Sequence, residues 1–121
     1  MNEELKSIFK NFKIKEKSIP VEHMRYKGKE KTFITWVLLN ERSSLNGDDE
    51  PLYSVCPVDI DIFSDGNYLD IMAEIKKIMK KNNWSWLEDS EEMFEEDTGL
   101  YHRTMTFEKE RFNFYGENWI E

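Results

Sequence analysis

The stretch CPVDIDIFSDGNYLDIMAEIKKIMKK, residues 56–81, decides the fold. In its first part Cys56, Val58, Ile60 and Ile62 point one way, and Pro57, Asp59, Asp61 and Phe63 point the other. A period of two with one apolar side is the mark of a strand lying on a core. Ser64-Asp65-Gly66-Asn67 then breaks the alternation, and the period changes. Tyr68, Ile71, Met72, Ile75, Ile78 and Met79 make one broad apolar stripe, while Lys76, Lys77, Lys80 and Lys81 gather where a helix dipole is negative. Asn67 is the expected N-cap, with Asp70 three residues on, and Asn82-Asn83 end the helix.

Working outward, Trp84-Ser85-Trp86-Leu87 opens a strand, and the acid-rich run Glu88 to Gly99 reads as a linker carrying the pair Met93-Phe94. Leu100 to Phe107 alternates, with Tyr101, Arg103, Met105 and Phe107 on one face and His102, Thr104 and Thr106 on the other. An aromatic tail covers residues 109–121. Towards the N-terminus, Leu5, Ile8, Phe9 and Phe12 have helical spacing and predict a helix over residues 2–12. Lys13 to Lys17 reads as a solvated connector, so residues 1–20 form a basic helix and its link. From Val21 the chain turns β-like. A strand over Lys31 to Leu39 is apolar enough to be buried on both faces, one of them against a neighbouring subunit. Asn40 to Pro51 is a polar loop of functional length. The expected fold is one α+β domain, a mostly antiparallel, mixed sheet with two main helices packed on it.

Composition narrows the function. The 121 residues suffice for one core, and 39% hydrophobic with 14% aromatic residues speaks for a folded chain despite 35% charge. The lone cysteine, Cys56, precludes an internal disulfide and suits a reducing compartment. The acidic opening of the chain is unlike a signal peptide, and no stretch reaches the length of a membrane span. The net charge of −8 is uneven: residues 1–31 carry nine Lys or Arg against five acids, the remainder eight against twenty. An acidic body repels nucleic acid, so proteins with basic patches, or other copies of this chain, are the expected partners.

Asp59 and Asp61 leave the same face of one strand, the arrangement that a divalent metal or a shared proton uses, yet no motif supplies further ligands. Their simpler reading is a strand face turned to solvent or to another subunit. Asn46-Gly47-Asp48-Asp49-Glu50 lacks the alternating spacing of a calcium loop. His23 and His102 belong to no His-x-x-x-His or Cys-His pair, and the five glycines form no phosphate loop. No catalytic residue, metal or cofactor is therefore expected, and the chain reads as a docking protein, not an enzyme. The aromatics, which elsewhere anchor interfaces, read first as core.

The strand Val58-Asp59-Ile60-Asp61-Ile62-Phe63, the helix Tyr68 to Met79 and the run Glu96-Asp97-Thr98-Gly99-Leu100-Tyr101-His102-Arg103 follow Lys31 to Trp36 and the loop with Asp48-Asp49. In this order they resemble the tail-completion, or tail-terminator, proteins of siphophages and Gram-positive prophages, the head-to-tail joining group. The resemblance covers residues 26–108, and the run Asp97 to Arg103 is its most specific piece. It implies a subunit that forms a ring, a hexamer, capping the tail tube and meeting the head connector, with DNA passing through unbound. It also implies assembly in the bacterial cytoplasm and residence in the virion neck. Ser44, Asn46, Asp48, Asp49, Glu95, Glu96, Asp97, Phe112, Phe114 and Trp119 are the expected interface residues, with loops 40–51 and 88–99 facing the lumen or the partners. The competing reading is a small acidic immunity protein that blocks a basic toxin through charge and aromatic anchors.

Overall fold

The computed structural model describes residues 2–43 and 53–112. In chain order these form α1 (Asn2–Ile8), β1 (Lys13–Ile14), β2 (Lys17–Ser18), β3 (Val21–His23), β4 (Phe33–Leu38), β5 (Arg42–Ser43), β6 (Tyr53–Ser64), α2 (Leu69–Lys81), β7 (Ser85–Asp89), β8 (Met93–Glu95) and β9 (Leu100–Phe112). β1 and β2 make a separate hairpin. The other strands form one sheet in the order β3-β4-β6-β9-β7, with short β5 on β6 and β8 on β9. Every pairing is antiparallel except β3 with β4. The expected α+β class, with two helices on a mixed and mostly antiparallel sheet, is what the chain adopts.

The register between β6 and β9 sorts the side chains. All 12 residues of β6 pair with β9, placing Val58 opposite Phe107, Ile60 opposite Met105 and Ile62 opposite Arg103. β4 adds Trp36 beside Ile60 and Ile34 beside Ile62. Both helices cover this one face. Ile71, Met72, Ile75 and Met79 of α2 join Leu5 of α1, with Phe9 and Phe12 just beyond it, in a single buried cluster with the strand residues. Removing such side chains from water contributes about 2 kcal/mol each, which is why the apolar stripe of α2 finds its place here.

Several elements differ from expectation for local reasons. α1 stops at Ile8; Phe9 to Asn11 form a turn, and Asn11 takes a positive φ of 59° that ends the helix. Lys13 to Ser18 is a hairpin, not a connector, with Lys15 and Glu16 at φ 49° and 71° in its two-residue turn. Such turns need both central residues left-handed and favour Asn-Gly, so a Lys-Glu pair conceals the turn. The acidic run 88–99 is also not a linker: Glu88 and Asp89 end β7, and Met93 to Glu95 form β8. Residues 109–112 belong to β9, not to a separate tail. Asn67 does supply a capping-type bond, its side-chain oxygen accepting from Leu69 N–H at 2.9 Å, although the helix boundary falls at Tyr68.

Ile60 is fully buried at the centre of β6, whereas Leu69, at the start of α2, is 63% exposed. Ile60→Ala should cost about 2–5 kcal/mol of unfolding free energy, and Leu69→Ala less than about 0.5 kcal/mol, read from urea denaturation midpoints. Equal losses at the two positions would contradict this assignment of the core.

Candidate interaction surface

The face of the sheet away from the helices carries rows of side chains that follow directly from the register. One row is aromatic: Tyr26 stacks on Phe33 at 4.5 Å, Phe33 on Phe63 at 4.7 Å, and Phe63 on the His102 ring at 4.2 Å. Gly28 makes this possible, because a Cβ there would sit 2.1 Å from the Tyr26 hydroxyl, which accepts a bond from Glu30 N–H at 3.0 Å. The next rows are polar. The Asp61 carboxylate accepts from the Thr104 hydroxyl at 2.6 Å and lies 2.9 Å from His102 Nε2. Asp59 accepts from the Thr106 hydroxyl at 2.6 Å. The paired aspartates thus share a face, as the alternation predicts, and each is tied to the neighbouring strand. His102 Nδ1 lies 3.7 Å from Glu95, so the imidazole sits between two carboxylates and joins β8 to the middle of the sheet. Among the described residues, no group of three or more His, Cys, Asp or Glu is arranged to hold a metal ion.

The acidic run forms one edge of the sheet. β7 and β8 lie successively along the same side of β9, as a single edge strand interrupted at Ser90 to Glu92. A bulge at Leu87 disturbs the register between Trp86 and Glu88. Bulges, breaks and charges are the devices by which edge strands resist further strand pairing. Large apolar side chains nevertheless stand out from this edge: Trp86 is 49% exposed, Leu87 44%, Met93 46% and Phe94 53%. Trp86 is held in place, its indole N–H donating to Asp89 at 2.8 Å while Lys76 of α2 sits 4.3 Å over its ring. Exposed acids accompany them at Glu88, Glu91, Glu92, Glu96 and Asp97.

Side-chain bonds anchor this edge to the core. Ser90 N–H donates to the Thr104 carbonyl at 2.7 Å, and its hydroxyl oxygen accepts from Thr104 N–H at 2.8 Å. The Tyr68 hydroxyl donates to the Glu92 carboxylate and accepts from Arg103 Nη1 at 3.3 Å. The turn 96–99 closes β8 onto β9, with Gly99 at φ 73° and its N–H bonded to the Glu95 carbonyl at 2.7 Å. Glycine takes that left-handed conformation without a side-chain clash. The run Asp97 to Arg103 therefore sets the edge in place: Gly99 turns it, His102 ties it to Asp61, and Arg103 reaches Tyr68.

The opposite edge is basic. Beyond β3, the connection to β4 exposes Arg25, Lys27, Lys29 and Lys31. Between α1 and β3 lies an open cleft of about 890 Å³, floored by Phe9, Phe12 and Ile19, with Lys6, Lys10 and Lys17 outnumbering Glu22 and Glu30 among its charged residues. The charge asymmetry of the sequence thus becomes an asymmetry of the two sheet edges.

Of the expected interface residues, Glu95 lies in β8 and Glu96 and Asp97 in the adjoining turn, so these three share the acidic edge. Phe112 is the last residue of β9, paired with Tyr53. Ser44, Asn46, Asp48, Asp49, Phe114 and Trp119 lie outside the described residues. Trp86, read from the sequence as core, is instead 49% exposed, because it stands on the edge strand β7 with its ring turned to Lys76, and Leu87, Met93 and Phe94 are exposed residues that the sequence did not assign to an interface. Trp84, by contrast, is buried as expected of core.

Two outcomes follow from this geometry. Asp61→Ala leaves the Thr104 hydroxyl and the His102 ring without their shared acceptor and should cost about 1–3 kcal/mol in denaturant unfolding; an unchanged midpoint would contradict a structural role for Asp61. Burial, and then the bond to Glu92, raise the Tyr68 pKa above its ordinary 10.0. The folded state then holds this proton more tightly than the unfolded one, so stability is lost as pH rises from about 10 through the folded-state pKa. Tyr68→Phe should flatten that alkaline loss, and an unchanged slope would contradict it. No protein-family model matches the chain, and no curated protein matches it.

Proposed function

We propose that this chain is a structural subunit of a siphophage-type tail, completing the tail tube as a ring of identical copies and joining it to the head connector. Its work is docking, not catalysis, and DNA passes the ring without specific binding. The observation that carries this reading is the acidic edge β7–β8, where four large apolar side chains stand exposed among carboxylates on a framework held by side-chain bonds. A few exposed aromatic and aliphatic anchors supply most of the energy of a protein interface. The run Asp97 to Arg103, which carries the resemblance to tail-completion proteins, is the segment that fixes this edge on the sheet.

The same edge also suits a second reading, an acidic inhibitor of a basic toxin, because carboxylates around aromatic anchors complement a cationic surface. Tail-tube protein separates the two. Purified tubes incubated with the chain should gain a disc at one end and stop elongating, seen by electron microscopy. Tubes that keep growing with bare ends, together with tight binding to a neighbouring gene's basic toxin, would replace the first reading with the second.

A further inference from the structure

We infer that the acidic edge β7–β8 of one copy docks into the cleft between α1 and β3 of the next copy, a head-to-tail contact that repeats around the ring. This deepens the reading above and rests on the chain assembling with itself.

Topology is the first support. β3 and β7 end the sheet on opposite sides, so the two surfaces cannot meet within one molecule. Contact between two different patches propagates from copy to copy and closes into a ring when the rotation allows, whereas a self-complementary patch stops at a dimer. Charge is the second. Glu91, Glu96 and Asp97 stand exposed on one edge; Lys10, Lys17 and Arg25 stand exposed at the other. With a net charge of −8, copies repel one another in most orientations, and this orientation brings opposite signs together. Apolar match is the third. Met93 and Phe94 are 46% and 53% exposed, and the rim of the cleft offers them the half-buried Pro20 and Val21 and the aliphatic stems of Lys6, Lys10 and Lys17, over a floor of core residues Phe9, Phe12 and Ile19. The bulge at Leu87 and the break at Ser90 to Glu92 interrupt any continuous ladder along this edge, so side chains, not added strands, make the contact.

Two variants test it. One neutralises the basic side (Lys10→Gln, Lys17→Gln, Arg25→Gln) and the other disables the acidic edge (Phe94→Ser, Glu96→Gln, Asp97→Asn). All six positions are exposed, and circular dichroism checks that both variants fold. In sedimentation velocity, each alone should lose self-association by about tenfold or more relative to the unaltered chain. Mixed one to one, they should form a heterodimer and nothing larger, because each retains the surface that the other lacks. Variants that assemble like the unaltered chain, or a mixture that stays monomeric while the unaltered chain assembles, overturn this contact and leave the ring reading standing. An acidic-edge variant that assembles normally but no longer binds tail tubes also overturns it, assigning the edge to the tube protein. An unaltered chain that stays monomeric at every concentration and on tube ends overturns both.

Discussion

The antiparallel register of β6 against β9 is the constraint on which everything else hangs. Because side chains alternate along a strand, a slip of one residue would move Val58, Ile60 and Ile62 out of the core and bring Asp59 and Asp61 into it. Burying two carboxylates under α2 is far costlier than any gain from the exchange. On the outer face, the same register sets Asp61 beside Thr104 and His102, and Asp59 beside Thr106, so hydrogen bonds with short, defined geometry fix the pairing a second time. Lys109 extends the effect to the far end of β9: its ammonium pairs with Glu4 of α1, donates to the Asn82 carbonyl at 3.0 Å and lies 5.5 Å from the Trp84 ring centre. One long strand thus ties α1, the end of α2 and the acidic edge to β6.

That framework turns a linear charge pattern into a spatial one. Arg25, Lys27, Lys29 and Lys31, between β3 and β4, and the acids of β7, β8 and their connections lie at opposite ends of the strand order. Exposed ion pairs within the molecule, such as Lys15 with Asp70 at 3.5 Å or Lys6 with Glu3 at 3.6 Å, contribute little and do not neutralise either edge. The acidic edge in particular keeps Trp86 and Phe94 oriented through Lys76 and Tyr101, ready for contact without a large cost of ordering.

Much of this was legible in the residues, for identifiable reasons. α2 announced itself because its apolar stripe is broad and its lysines cluster at one end. β6 and β9 did so because each alternates over several residues with a single buried face. β8 did not: Met93-Phe94-Glu95 is three residues in an acid-rich run, and it is a strand because β9 extends far enough to offer it a partner. The hairpin β1–β2 was hidden by a turn whose left-handed residues are Lys15 and Glu16. The parallel pairing of β3 with β4 depends on contacts that no local pattern encodes. The common face of Asp59 and Asp61 followed from their spacing, but their partners Thr104, Thr106 and His102 required the register, which only the folded chain fixes.

The central claim is that this protein acts through the two opposed edges of its sheet. Hydrogen exchange, compared between dilute free protein and protein assembled on tail tubes, tests it most directly. Protection should appear over residues 85–97 and 17–31, with the amides of α2 unchanged. New protection confined to α2, or none at either edge, would contradict the account.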